Sequence, residues 1–160
     1  MTSTSISDTA NFAREFLVGL FPRLRSGQAT IVGLYGDLGS GKTTFVQQIA
    51  KAFGVTGSVQ SPTFVIMKRY ALHDARFKNL IHIDAYRLDN GEDLKKLGWR
   101  ELAANTANLI LIEWAERIAD ILPPDHLKIS FTFVNETTRE IRVEYRNGRT
   151  QTAACAYRRS

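Results

Sequence analysis

Gly36-Asp37-Leu38-Gly39-Ser40-Gly41-Lys42-Thr43 fits the pattern G-x-x-x-x-G-K-[ST] and stands between two segments of different periodicity. Upstream, Thr30 to Tyr35 (TIVGLY) is β-branched and aromatic, as a strand requires. Downstream, Thr44 to Phe53 places Phe45, Ile49, Ala52 and Phe53 on one helical face. Strand, glycine turn and helix form the context in which this pattern cradles phosphate. Glycine is about 7% of average sequences, so the pattern alone arises by chance in roughly one chain of this length in a few hundred. The flanking strand and helix reduce that further.

The chemistry explains the residue types. Glycines at 36, 39 and 41 let backbone N–H groups converge on an anion that side chains would keep away. The helix that follows adds its positive end. Leu38, Gly39, Ser40, Gly41, Lys42, Thr43 and Thr44 are therefore the expected contacts of a nucleoside triphosphate. Lys42 reaches the β and γ phosphates, and the Thr43 hydroxyl is placed to ligate Mg²⁺.

At 160 residues and 18.0 kDa the chain has the length of one domain, residues 1–160, with enough material for a real core. A single cysteine, Cys155, forms no internal disulfide, and no thiol motif surrounds it. No apolar run has the length of a bilayer span, and the N-terminus lacks a secretory pattern, so a cytoplasmic protein without membrane contact is expected. The net charge is +5. Residues 139–160 hold Arg139, Arg142, Arg146, Arg149, Arg158 and Arg159 against Glu140 and Glu144, so most of the excess is C-terminal. This reads as a solvated basic tail, with a weak RNA or acidic-partner contact as the alternative.

Along the chain, Phe12, Phe16, Leu17 and Leu20 make residues 9–21 a docking helix, with Ser7 or Asp8 as cap and Pro22 as stop. Ser61-Pro62-Thr63 opens an extended segment, Phe64 to Leu72, which pairs as an antiparallel hairpin with Asn79 to Leu88. Asp93 to Asn105 is helical in pattern, and Asn108 to Trp114 (NLILIEW) reads as a buried central strand. After Pro123-Pro124, His126 to Val134 and Glu140 to Arg146 form a last hairpin. The order predicts a three-layer α/β fold of the P-loop NTPase type with a mixed, mostly parallel central sheet.

Two acids end apolar strands: Asp84 after Ile81-His82-Ile83, and Glu113 after Leu109-Ile110-Leu111-Ile112. In open α/β sheets the ligand lies beyond the carboxyl ends of parallel strands, so both face the nucleotide. One acid is expected to hold Mg²⁺ and the other to orient or deprotonate water. Spacing does not divide the roles; Glu113 is assigned to the metal because it follows the more apolar strand, and Asp84 to catalysis beside Lys42. Trp114 reads as half core, half site wall. Thr63 stands where a switch threonine senses a γ-phosphate, although a plain turn explains it nearly as well. His73 and His82 have no neighbours at ligand spacing and are read as no metal site.

These stretches together resemble the TsaE (YjeE) family of ATPases of bacterial tRNA threonylcarbamoyladenosine synthesis. The resemblance rests on Gly36 to Phe45, Ser61-Pro62-Thr63-Phe64, His82-Ile83-Asp84-Ala85-Tyr86-Arg87-Leu88, Leu97-Gly98 and Ile112-Glu113-Trp114, in family order and spacing. It implies an ATPase, weak alone, that works with ATP and Mg²⁺ beside the threonylcarbamoyl transferase catalytic subunit and its non-catalytic paralogue (TsaD and TsaB). ATP turnover would support repeated modification of the adenosine next to the anticodon, with at most a weak or indirect tRNA contact. By position it makes Thr43 and Glu113 magnesium sites, Asp84 catalytic, and Trp114, Thr9 and Arg139 nucleotide contacts. Thr138 and Ala115 stand where the family usually has glycine and proline.

Three rival classes are separable. A small-molecule kinase needs an acceptor subdomain and an arginine-bearing lid, and residues 54–105 offer a hairpin and one helix. A GTPase needs an Asn-Lys-x-Asp sequence, which does not occur. A nucleotide-gated binding module would bind ATP with negligible turnover.

Overall fold

All six residues of Asn108–Glu113 are buried, because the run Leu109-Ile110-Leu111-Ile112 supplies apolar side chains to both faces of a sheet. This is the fifth strand in a computed structural model that describes residues 2–24, 27–136, 138–145 and 149–151. The elements are β1 (Thr2–Ser3), α1 (Ile6–Leu20), β2 (Thr30–Tyr35), α2 (Lys42–Ala52), β3 (Met67–Ala71), β4 (Asn79–Asp84), α3 (Glu92–Lys96), α4 (Trp99–Ala104), β5 (Asn108–Glu113), β6 (Leu127–Phe133), β7 (Arg139–Tyr145) and β8 (Arg149–Gln151). Short 3₁₀ turns cover Phe21–Arg23 and Ala115–Ile118.

The sheet runs β1-β7-β6-β2-β5-β4-β3, with β8 also paired to β7. Strands β6, β2, β5 and β4 are mutually parallel, whereas β3, β7, β1 and β8 add antiparallel pairings at the two flanks. Alternation then sorts side chains into two cores. Val32, Leu34, Leu80, Leu109 and Leu111 face α1 and α2, while Ile31, Ile81, Ile83, Ile110 and Ile112 meet Leu94, Trp99, Leu102 and Ile118 on the opposite side. The three-layer α/β expectation is met, with the parallel part confined to the centre.

Element ends differ from the sequence reading for local reasons. Helix α1 starts earlier because Ser5, not Ser7 or Asp8, is the cap: its Oγ accepts from Asp8 N at 3.1 Å. Asp8 instead turns back to accept from Thr4 N and Oγ1, at 2.9 and 2.8 Å. Strand β4 stops at Asp84 and not Leu88, since the Asp84 carboxylate accepts from Tyr86 N at 3.0 Å and closes a turn. Residues 64–66 are not strand: Val65 N donates to Pro62 O at 2.9 Å, and β3 begins at Met67. The expected helix Asp93 to Asn105 is two short ones, because the chain turns at Gly98 with φ 85°. Cys155, Arg146, Arg158 and Arg159 lie outside the described residues; Arg142 pairs with Glu140 at 2.9 Å.

Where β2 meets the glycine loop, the Tyr35 hydroxyl lies 2.6 Å from His126 Nε2, and His126 Nδ1 lies 2.6 Å from Pro123 O. A carbonyl only accepts, so Nδ1 carries the proton and Nε2 accepts from Tyr35. Burial, with help from Glu116 and Glu144, pushes the Tyr35 phenol up to about 12, so it remains a donor. Burial likewise lowers the His126 pKa, against the pull of the Pro123 carbonyl and with Lys128 adding to the lowering.

Two outcomes follow from this packing. Phe45 is fully buried against Phe12, Phe16 and Phe131, with ring centroids 5.5, 5.6 and 5.8 Å away. Phe45→Ala should cost about 3–5 kcal/mol in urea unfolding; a loss below about 1 kcal/mol would show that α1 can close over the gap. His126 takes up its proton more readily in the unfolded chain than in the folded one. Its contribution to stability is therefore intact above the ordinary histidine pKa of 6.5 and drains as pH falls through that value toward the lower folded one. Unfolding free energy measured against pH should fall through that window in the wild type, and His126→Gln should flatten it.

Candidate active site

Gly36 and Gly41 show why the loop between β2 and α2 needs its glycines. Gly36 has φ 134°, and a Cβ there would stand 2.2 Å from the Phe131 carbonyl oxygen. Gly41, at φ 103°, is the left-handed residue from which α2 springs, and a Cβ would meet nothing within 4 Å. The first position is closed by packing and the second by conformation alone.

Lys42 opens α2 and is buried. Its ammonium donates to the carbonyl oxygens of Gly36 and Asp37 and lies 4.0 Å from the centre of the Trp114 ring. Burial lowers its pKa, while the carboxylates of Glu113, Glu116, Asp37 and Asp84 hold the proton on. Trp114 reaches this place through a left-handed backbone, φ 58° and ψ 43°, immediately after β5. Tyr86 packs on it with ring centroids 5.1 Å apart.

Strands β4 and β5 pair so that Asp84 registers with Glu113. Parallel partners share a face, and the period of two carries His82, Asp84 and Glu113 to the α2 side of the sheet. Glu113 Oε2 accepts from the Thr43 hydroxyl at 2.8 Å, and Oε1 lies 2.8 Å from His82 Nε2. Asp84 Oδ2 accepts from both Ser61 and Thr63 hydroxyls, the latter at 2.6 Å. The two hydroxyls also lie 2.9 Å apart. Each acid is thus buried and held by hydroxyls, with no arginine paired to it among the described residues.

These groups enclose a cleft of about 360 Å³ lined by Leu38, Gly39, Ser40, Gly41, Lys42, Thr43, Thr44, Ser61, Thr63, Asp84, Tyr86, Glu113 and Trp114. Eleven residues singled out from the sequence are therefore brought together. Thr9 and Arg139 are not in the lining. Thr9 is buried in α1, its hydroxyl 2.8 Å from Ser3 Oγ and 3.3 Å from Ser5 O. Arg139 donates from Nε to Gly39 O at 3.3 Å and lies over the Phe133 ring, bracing the loop from outside.

Sequence reasoning named Thr63 but not Ser61 or Tyr86 as site residues, and it set His82 aside. The alternation of β4 was the available signal, since His82 and Asp84 are two residues apart and must share a face. A hydroxyl and a carboxylate in contact form a hard oxygen pair suited to Mg²⁺, which takes one or two carboxylates beside phosphate oxygens. The cleft offers an anion cradle, a buried ammonium, that oxygen pair and a second carboxylate.

Comparison with known proteins agrees with this geometry. The profile of the family described as "Threonylcarbamoyl adenosine biosynthesis protein TsaE" matches residues 3–141. The tRNA threonylcarbamoyladenosine biosynthesis protein TsaE of Rickettsia typhi is 35% identical over 147 residues, covering 91% of this chain and 94% of that protein. Its counterpart in Bacillus subtilis is 40% identical over 112 residues, covering 69% and 66%. The crystal structure of Bacillus subtilis YdiB superposes with a TM-score of 0.66 at 30% identity, covering 88% of this chain and 80% of that one. With a family match across the sheet and both acids, the chain belongs to the TsaE family of tRNA threonylcarbamoyladenosine biosynthesis.

Proposed function

We propose that this chain binds and hydrolyses Mg-ATP, and that turnover supports threonylcarbamoylation of the tRNA adenosine next to the anticodon. The observation that carries the reading is the Thr43–Glu113 hydrogen bond at the mouth of the glycine loop, with Asp84 the register partner of Glu113. Leu38 to Thr44 would cradle the phosphates, Lys42 would neutralise the β and γ groups, and Trp114 would wall the site. Thr43 and Glu113 would hold magnesium, which when bound neutralises phosphate oxygens. Asp84 would orient or deprotonate the attacking water. The contacts of Thr9 and Arg139 with nucleotide are proposed on the family resemblance.

The contacts of Asp84 would also account for the weak activity in isolation that the family resemblance implies. Its Oδ2 already accepts two hydroxyl protons and its Oδ1 accepts from Tyr86 N, so it has little capacity left as a base. Movement of Ser61 and Thr63 would free it. On the family resemblance we propose that the chain is a cytoplasmic accessory subunit to the transferase catalytic subunit and its paralogue, TsaD and TsaB, whose contact would shift that loop. No helix among the described residues is long and apolar enough to cross a membrane.

Lys42→Ala should abolish ATP binding. Asp84→Ala should keep binding and lose about 10²-fold or more in turnover; wild-type turnover in that protein removes Asp84 from catalysis. Free phosphate and modified adenosine, recorded together with the transferase pair and tRNA, test the complex. Turnover should rise with the pair and modification should become multiple-turnover, whereas phosphate recovered on a small acceptor would make the chain a kinase.

A further inference from the structure

On the α2 face of β4 the alternating series is Leu80, His82, Asp84, and the same-face residues of β5 are Leu109, Leu111 and Glu113. A leucine at position 82 would extend the core with no polar group to satisfy. Instead the chain buries an imidazole there at 0% exposure. Its Nε2 lies 2.8 Å from Glu113 Oε1, across 31 residues of sequence. Its Nδ1 is buried with no hydrogen-bond partner. An ionised carboxylate only accepts, so Nε2 is the donor of this hydrogen bond. The ring is therefore fixed by one polar contact, and that contact is Glu113.

The other oxygen of the same carboxylate accepts from Thr43. Glu113 is thus gripped at both ends, by Thr43 from α2 and by His82 from within the sheet. A carboxylate held through one oxygen can rotate about its last bond; held through both, it presents fixed lone pairs. Carboxylates and imidazoles beside a metal site commonly work in this way, and their loss weakens metal affinity.

We propose that His82 is a positioning residue for magnesium: its Nε2–H fixes the Glu113 carboxylate so that Thr43 and Glu113 offer a preset oxygen pair to the metal. The proposal rests on the assignment of Glu113 to the metal. A leucine-like core role would need no donor, and a direct ligand role is not supported: Nε2 faces a carboxylate, and His82 is not among the residues that line the cleft.

Two conservative variants separate position from packing. The amide nitrogen of His82→Gln falls near Nε2 and keeps the donor, whereas that of His82→Asn falls near Nδ1 and leaves Glu113 without one. Magnesium is titrated against binding of a fluorescent, non-hydrolysable ATP analogue, with EDTA as the metal-free reference and thermal melting to confirm folding. H82Q should stay within about twofold of wild type, and H82N should need about tenfold or more magnesium. Binding in EDTA should be unchanged in both, and H82N should have no further effect in an E113Q background.

Equal losses in H82Q and H82N that persist with E113Q would overturn the proposal, as would a wild-type magnesium requirement in H82N while E113Q raises it. If E113Q itself leaves the requirement unchanged, the metal assignment falls and the proposal with it. The wild-type protein supplies an independent reading through ring ¹⁵N shifts, assigned with His73→Gln and His126→Gln proteins. His82 should carry its proton on Nε2 and His126 on Nδ1; an Nδ1–H tautomer at His82 overturns the inference without any change to the site.

Discussion

The parallel register between β4 and β5 is the constraint on which the site depends. It sets Asp84 opposite Glu113, and the β2–β5 register sets Leu34 opposite the same Glu113, so the glycine loop departs from the level at which the acids stand. A slip of one residue in β4 would send His82 and Asp84 to the opposite face, among the isoleucines and Trp99. The cores resist that slip: leucines of β4 and β5 meet α2, isoleucines meet α4, and exchanging the sets would bury two polar groups without partners. Packing far from the cleft thereby fixes which atoms enter it.

Two residues outside the strands take left-handed backbones that their side chains disfavour, Ile66 at φ 63° and Trp114 at φ 58°. Such residues cost on the order of 1–3 kcal/mol each and persist where surrounding structure over-determines them. Strict alternation beyond Glu113 would aim Trp114 at the face away from α2. Trp114 does border the core on that face, and with its left-handed backbone its ring also lies 4.0 Å from the Lys42 ammonium. Ile66 reverses the chain so that its carbonyl accepts from Asp84 N at 2.9 Å, tying the end of β4 to the segment whose hydroxyls hold Asp84. Both departures from regular geometry lie beside an acid.

Much of this was legible in the sequence where a single residue pattern carries its own physics. The run Leu109 to Ile112 can only be a buried strand, and Gly36 to Thr43 can only be a turn entering a helix, so layer order and the loop followed directly. Both acids were legible as strand ends. The limits of Phe64–Leu72 and Asn79–Leu88 were not, because they are set by turn hydrogen bonds that an apolar pattern does not register, Val65 N to Pro62 O and Tyr86 N to the Asp84 carboxylate. His82 was missed for a different reason. Spacing along the chain shows no ligand pattern at His82, and its partner is on the neighbouring strand, reached only once register is known.

Charge placement supplies the last link. The cleft holds one buried ammonium and two buried carboxylates, an arrangement that would ordinarily collapse into ion pairs. Lys42 instead spends its hydrogen bonds on the carbonyl oxygens of Gly36 and Asp37, while the acids take hydroxyls, an imidazole and a backbone amide. The ammonium and the carboxylates are thus satisfied without hydrogen-bonding one another. A locked pair of buried charges must be broken, at considerable cost, before either member can act on a ligand. Here the positive charge remains available to phosphate and the Glu113 charge to a metal, and freeing Asp84 as a base requires only that the hydroxyls of Ser61 and Thr63 withdraw, with no ion pair to break.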